Sequence, residues 1–283
     1  MLRTVLFCPA DDVKKAAKAL ASEADAVTLD LEDAVAYSQK AAAREALREI
    51  IFAPPSKKVF VRINSTRSEY ILDDLEAVAG LPLDGLMLAK AESASDVLKV
   101  DWLLGLIEKR KGITPGKTRL IPFIESPAGI LKSGEIAAST PRIKALAFGG
   151  VDFSQELGLR YPAESHGLFF ARGQLVLASG SAGIEPPLDT VFPDIKNLAM
   201  LESEAELAQK TGFQGKLVIH PSQVTPVNRI FTPAPEEIEY ARKVVSAFNE
   251  AEKSGTAVIQ VDGKMVEYPI YRRAKEILRV YSK

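Results

Sequence analysis

The 283-residue chain has one cysteine and two histidines. A lone cysteine rules out an internal disulfide, and so few soft or imidazole ligands give no Cys/His zinc cluster. Cys8 lies in the apolar run Val5-Leu6-Phe7-Cys8, where a packed core thiol is the expected role rather than a nucleophile. The net charge is -1, which offers no electrostatic hold on nucleic acid or an anionic membrane. No apolar stretch approaches the ~18–20 residues that span a bilayer. The N-terminus has strand character without a small-residue cleavage pattern, so a cytoplasmic protein without a signal peptide is expected. Residues 112–117 contain glycines and a lysine but not the Gly-x4-Gly-Lys-Ser/Thr spacing of a phosphate loop. No Gly-x-Gly-x-x-Gly follows the first apolar run, and no Gly-x-Ser-x-Gly elbow supports a serine hydrolase. No low-complexity tract or Gly/Ser-rich linker divides the chain.

What is present is alternation. Strand-like runs at 4–7, 26–31, 59–63, 85–88, 120–124, 145–148 and 217–219, with a weaker one near 188–191, alternate with amphipathic segments. The latter fall at 13–22, 39–50, 71–79, 95–111, 130–138, 167–179 and 194–210. Strand–helix alternation implies a parallel sheet with crossover helices, and eight repeats predict a closed (β/α)8 barrel ahead of an open doubly wound sheet. The pattern changes after the eighth run. A helix is expected over 233–253, capped by Thr232, followed by a hairpin of 257–261 and 265–267 about Asp262-Gly263 and a last helix over 270–281. This divides the chain into a barrel, 1–232, and an extension, 233–283, expected to lie on the barrel or on a neighbouring subunit.

In a parallel barrel the active site gathers at the carboxyl ends of the strands. Asking which polar residues end each run gives Asp30, Glu32 and Asp33 for the second, Arg62 and Asn64 for the third, and Lys90 and Glu92 for the fourth. The fifth, sixth and eighth give Glu125, Asp152 and His220. A carboxylate at the end of a buried strand is costly unless it meets a cation or donors. Glu125 and Asp152, on adjacent strands, form an oxygen-only set that favours a hard cation, Mg2+ first and Mn2+ second. Gly149-Gly150 lets backbone N–H groups approach a substrate carboxylate. Arg62 suits bidentate binding of a carboxylate or enolate, or an ion pair with Glu32 or Asp33. Lys90 and Glu92 are read as a supporting pair, His220 as a packed, hydrogen-bonded residue ahead of a general base, and Lys14, Lys15 and Lys18 as a solvated basic face ahead of contacts to the phosphates of a large ligand.

Taken together these phrases resemble the citrate lyase β-subunit-like family of the HpcH/HpaI aldolase superfamily, near the malyl-CoA and citramalyl-CoA lyases. The similar stretches are Leu29-Asp30-Leu31-Glu32-Asp33-Ala34-Val35, Val61-Arg62-Ile63-Asn64, Lys90-Ala91-Glu92-Ser93, Ile124-Glu125-Ser126-Pro127, Phe148-Gly149-Gly150-Val151-Asp152, Ile219-His220-Pro221-Ser222-Gln223 and Asp262-Gly263-Lys264-Met265-Val266-Glu267-Tyr268-Pro269. The resemblance implies a TIM barrel, a homotrimer or higher homo-oligomer, and Mg2+ on Glu125 and Asp152. It places Arg62 beside the substrate; the backbone N–H groups of Gly150 and Val151, and Asp33, are further candidates for holding the substrate. It also implies cleavage or formation of a 3-hydroxy-acyl-CoA thioester of the malyl-, citramalyl- or citryl-CoA type, giving acetyl-CoA and an oxo acid. Glu267 of a neighbouring chain is the candidate acid/base, with Glu32 second. The alternatives are a CoA-independent aldolase on pyruvate- or oxaloacetate-type acids, and a citrate lyase β subunit acting with partners on an acyl-carrier thioester. Two places depart from the family pattern. Ala10-Asp11-Asp12 replaces a glycine and an arginine-containing stretch, and Glu267 stands where many lyases carry aspartate.

Overall fold

The structure is a computed structural model and describes residues 1–51, 57–161 and 165–281. Residues 282 and 283, the end of the expected extension, lie outside the described residues. The chain divides into two compact units, Leu2–Phe231 and the residues from Thr232 onward together with Met1.

The first unit is a closed barrel of eight parallel strands in sequential order. Its elements are β1 Thr4–Pro9, α1 Val13–Leu20, β2 Ala26–Asp30, α2 Lys40–Ile50, β3 Lys58–Ile63, α3 Ile71–Val78, β4 Gly85–Leu88, α4 Ala94–Arg110 and β5 Arg119–Ile124. Then come α5 Pro127–Leu131, α6 Ser133–Ala137, β6 Ala147–Phe148, α7 Gly150–Glu156, α8 Phe169–Ala182, β7 Leu188–Asp189, α9 Leu198–Thr211, β8 Gly215–Val218 and α10 Val224–Phe231. The barrel expected from the alternation is therefore present. Period-2 patterning divides its core into two layers. Val5, Ala26, Phe60, Met87, Ile121, Ala147 and Leu217 fill the interior. Leu6, Leu29, Val59, Val61, Leu86 and Leu120 face the helices. Buried on both faces, these strands read as continuous apolar runs.

Several boundaries differ from the sequence reading, each for a local reason. The helix expected over 130–138 is two short ones, because Ser126 caps the chain early by accepting from the Gly129 N–H and Pro127 opens the first turn. The helix expected from 194 starts at Leu198, where the Asn197 side chain accepts from the Met200 N–H, while Asp194 accepts from the Lys196 N–H in the preceding turn. β6 is two residues long: the buried Ala145 and Leu146 lie outside its register, although the Leu146 carbonyl accepts from the Leu188 N–H.

The second unit holds α11 Pro235–Lys253, a hairpin of β9 Ile259–Val261 and β10 Lys264–Val266, and α12 Tyr268–Tyr281. Asp262 and Gly263 both have positive φ, 47° and 77°, as a two-residue primed turn requires. Ala234 rather than Thr232 is the N-cap of α11; the Glu237 carboxylate accepts from the Ala234 N–H at 3.0 Å. α12 starts two residues earlier than expected because Pro269 sits in its first turn, where no N–H is needed. The unit has its own core of Ala241, Val244, Phe248, Val261, Val266 and Ala274, with Phe248 stacked on Tyr271 at 4.5 Å between ring centroids. Among the described residues no helix is long and apolar enough to cross a membrane.

Candidate active site at the carboxyl ends of the barrel strands

Parallel register sets Asp30 of β2 directly beside Arg62 of β3. Both side chains point into the barrel mouth and form a bidentate pair. Arg62 Nε donates to Asp30 Oδ1 at 2.7 Å and Nη2 to Oδ2 at 2.5 Å. Asp30 also accepts from the N–H groups of Glu32 and Ala34, so its fully buried carboxylate is satisfied. Arg62 Nη1 lies 3.2 Å from Glu32 Oε2, and its guanidinium sits 5.2 and 5.6 Å from the ring centroids of Phe7 and Phe123. Burial opposes the charge of Arg62, but Asp30 and Glu32 outweigh it and the pKa is raised.

Lys90 follows β4 with φ 53°. Its ammonium meets Glu32 Oε1 and both oxygens of Asp33, the latter at 3.1 and 3.2 Å. Burial pushes the Glu32 carboxyl up, against the pull of Arg62 and Lys90. Asp33 is less buried; desolvation raises its carboxyl, but the bonds from Lys90 prevail and its pKa falls. Glu92 turns away and pairs with Arg67, so the expected Lys90–Glu92 pair does not form. The helical N-cap at Ser93 draws Asp96 beneath that loop and leaves Glu92 at the surface side.

Glu125 extends the β5–β6 register by one residue and stands against Gly149. A Cβ at 149 would lie 2.3 Å from Glu125 Cβ and 2.7 Å from its Oε2, so only glycine fits. Glu125 Oε1 accepts from the Lys90 N–H at 2.6 Å. Oε2 is buried and has no hydrogen-bond partner among the described residues. Burial pushes the carboxyl up to about 8, opposed by Arg62 and reinforced by the neighbouring carboxylates of Glu32 and Asp152. Asp152 lies in the first turn of α7, half-buried. A cavity of about 160 Å³ brings Asp30, Arg62, Glu125, Val151 and Asp152 together, walled by Phe7, Phe123, Val191 and Ile219.

Other expected residues are placed differently. The Gly150 N–H donates to Thr190 Oγ1 at 2.9 Å and is not free for a ligand. Val151 is the second residue of α7, where an N–H has no partner within the helix. His220 is exposed rather than packed, and its Nδ1 caps the following turn by accepting from the Ser222 N–H. Glu267 is exposed in the second unit. Lys14, Lys15 and Lys18 are exposed, with Lys15 paired to Asp12 at 3.1 Å. The Cys8 thiol is buried, and that burial pushes it up to about 11.

Two further residues shape the site. Asp30 anchors Arg62, as above. Lys40 of α2 is 3% exposed and donates to the Leu31 and Glu32 carbonyls, both at 2.6 Å, and to Asn64 Oδ1 at 3.1 Å. It thereby pins the backbone that carries the acidic loop. Its signal in the sequence is a lysine on the apolar stripe with Ala43 and Leu47, the positions three and seven residues further on.

The donor set fits a hard divalent cation. Among the described residues no group of three or more His, Cys, Asp or Glu is arranged to hold a metal. Mg2+ does not need one, since it is bound by one or two carboxylates with water and substrate completing its shell. An orphaned, buried carboxylate oxygen beside a second carboxylate is what such an ion would satisfy.

A (β/α)8 barrel whose strand ends gather carboxylates around one arginine has the form of an enzyme with its site at the mouth. The chain matches the HpcH/HpaI aldolase/citrate lyase family over residues 3–221 and a family of carbon–carbon bond lyases of the TIM-barrel fold over residues 180–280. It belongs to the HpcH/HpaI aldolase/citrate lyase family and is a carbon–carbon lyase by that membership. It is 36% identical over 278 residues to the citrate lyase subunit beta of Escherichia coli (strain K12), covering 98% of this chain and 92% of that one. A (3S)-malyl-CoA thioesterase of Cereibacter sphaeroides (strain ATCC 17025 / ATH 2.4.3) is 35% identical over 267 residues, 94% of this chain and 89% of that protein. The crystal structure of CitE from Mycobacterium tuberculosis in complex with magnesium, acetoacetate and coenzyme A is similar with a TM-score of 0.76 and 33% identity. The match covers 99% of this chain and 98% of that one.

Proposed function

We propose that this protein is a Mg2+-dependent lyase that cleaves or forms the carbon–carbon bond of a 3-hydroxy-acyl-CoA thioester of the malyl-, citramalyl- or citryl-CoA type. The products of cleavage are acetyl-CoA and an oxo acid. One observation carries the reading: the unpartnered, buried Glu125 Oε2 opens on the same cavity as Asp152 and Arg62. Magnesium and coenzyme A in the similar Mycobacterium tuberculosis structure support it.

Glu125 and Asp152 would hold the ion, which when bound supplies Lewis-acid polarisation of the oxo-acid end. In cleavage a base removes the proton of the 3-hydroxyl group, the carbonyl forms, and the C2–C3 bonding pair passes to the thioester α-carbon as an enolate. Protonation of that carbon yields acetyl-CoA. Arg62 stabilises the developing negative charge, held in place by Asp30 and the rings of Phe7 and Phe123. The Val151 N–H assists at the substrate carboxylate, and Asp33, held by Lys90, is a further substrate contact in this reading. Glu267 of a neighbouring copy is the acid/base in this reading, with Glu32 second. That assignment requires a homo-oligomer, a trimer by the family resemblance. Mixing Glu267→Gln with Glu125→Gln chains then restores activity in hybrid oligomers; a mixture as inactive as its parts would refute sharing of the site.

The primary experiment incubates the purified protein with Mg2+, acetyl-CoA and, separately, glyoxylate, pyruvate or oxaloacetate, with mass-spectrometric identification of CoA products. EDTA and Glu125→Gln serve as controls. A metal-dependent adduct names the oxo acid; silence with every oxo acid, and with malyl-CoA and citramalyl-CoA in the cleavage direction, defeats the proposal. The similarity to citrate lyase subunit beta favours a second reading, an acyl-carrier thioester handled with partner subunits. That reading gains only if free CoA thioesters fail and the carrier-bound form reacts.

A further inference from the structure

Lys90 joins two parts of the mouth that the proposed reaction uses separately. With φ 53° it is one of two non-glycine residues at positive φ among the described residues, and the other, Asp262, occupies the hairpin turn. A Cβ is penalised in this conformation, and glycine would adopt it freely. Such a residue persists where its surroundings over-determine it, and at Lys90 they do so from both ends. Its N–H is committed to Glu125 Oε1 at 2.6 Å, leaving Oε2 of that carboxylate without a donor. Its ammonium reaches across the mouth to Glu32 and Asp33, and Glu32 in turn holds Arg62 Nη1 at 3.2 Å. Glycine would serve the first function but not the second.

We propose that Lys90 is a positioning residue with two ends: its left-handed backbone clamps Glu125 so that Oε2 is the oxygen offered to the cation, and its ammonium fixes the Glu32–Asp33 loop against Arg62. The backbone half rests on the Glu125–Asp152 cation site of the proposed function. The ammonium half does not.

Lys90→Gly and Lys90→Ala separate the two. Both lose the ammonium, so the difference between them reads the backbone alone. Mn2+ affinity of the full-length protein without substrate, followed by electron paramagnetic resonance of the free ion, is expected to be at least about fivefold weaker in Lys90→Ala than in Lys90→Gly, because a Cβ without its ammonium anchor lets the peptide leave φ > 0. Turnover of the active thioester is expected to fall at least about tenfold in both variants, with KM for the thioester little changed, since the loss is one of orientation. Thermal midpoints report whether each variant is folded. Equal Mn2+ affinity in two folded variants overturns the backbone clamp, and wild-type kcat in Lys90→Gly overturns the ammonium role. A wild-type protein that binds no Mn2+ overturns the cation site and the clamp with it, a result distinct from either.

Discussion

Two clusters of buried charge lie in the same barrel, and they are balanced differently. On the outer side of β7 and β8, Arg172 and Lys216 meet Asp189 and Glu204, with Arg172 Nε 2.9 Å from Asp189, its Nη2 2.6 Å from Glu204 and Lys216 Nζ 2.5 Å from Asp189. All four side chains are buried, two of each sign, and their charges cancel. At the mouth, the buried Asp30, Glu32 and Glu125, with the half-buried Asp152 and the exposed Asp33, gather about Arg62, Lys90 and Lys40. Five carboxyl groups against three cations leave acid in excess, and it is here that a carboxylate oxygen has no partner. Buried charge is costly unless paired. The neutral cluster fastens strands to helices, whereas at the mouth burial and the excess of acid oppose ionisation of Glu125, a cost that a ligand of positive charge would relieve.

Neutralising one member of each cluster separates the two roles. Glu125→Gln is expected to abolish metal-dependent turnover, by at least about a hundredfold, while leaving the metal-free protein as stable as wild type or more so, because burial already opposes the charge of this carboxyl and an amide carries none. Loss of fold in Glu125→Gln, seen by circular dichroism, would refute the surplus-charge account. Asp189→Asn does the opposite. It leaves Lys216 buried without a carboxylate partner and Arg172 with Glu204 alone, and is expected to cost about 3–5 kcal/mol in urea unfolding, with Mn2+ affinity unchanged. Lys216→Met should cost less, since Asp189 keeps Arg172. Equal losses in the two variants would mean that the cluster does not act by charge balance.

Gly149→Ala tests the mouth without altering charge. The new Cβ meets Glu125 at 2.3 Å, so the carboxylate must move. Mn2+ affinity should fall at least about tenfold for a stability loss of about 1–3 kcal/mol, a typical overpacking effect. Unchanged metal affinity would show that Glu125 is not held where the ion binds.

The difference between the clusters also explains what the sequence revealed. Strands buried on both faces announce themselves as apolar runs, so all eight repeats were legible even where β6 and β7 are only two residues long. Glu125 and Asp152 stood out because a carboxylate ending such a run breaks the pattern. Lys216 and Asp189 break it too, but without structure their partners on α8 and α9 cannot be paired with them. Hydrogen-bond allegiance was the least legible layer. That the Gly150 N–H goes to Thr190, and that Lys90 serves Glu32 rather than Glu92, depends on loop dihedrals that residue type does not encode. Lys40 was visible only as a charge on an apolar helix stripe, which needs a known acceptor to become an argument.

A third ion pair, at the amino ends of the strands, extends the comparison to pH. Arg142 bonds Glu108 at 2.6 and 3.0 Å, and Glu108 also accepts from the Gly116 N–H and the Thr118 hydroxyl. Burial alone would raise the Glu108 carboxyl, but these donors prevail and hold it below its ordinary value of 4.5. A carboxylate depressed on folding contributes stability above its unfolded pKa and loses it as pH falls through the folded one. The stability gap between wild type and Glu108→Gln should therefore be widest near about pH 6 and narrow toward about pH 3, as the wild-type carboxyl takes up the proton. This effect is smaller than those above, because only the protonation-linked part of the pair's contribution moves. Glu125 carries the opposite shift, so Glu125→Gln should not reproduce that narrowing on the acid side. A gap of constant size between those limits for Glu108→Gln would show that the Arg142 pair contributes packing rather than charge.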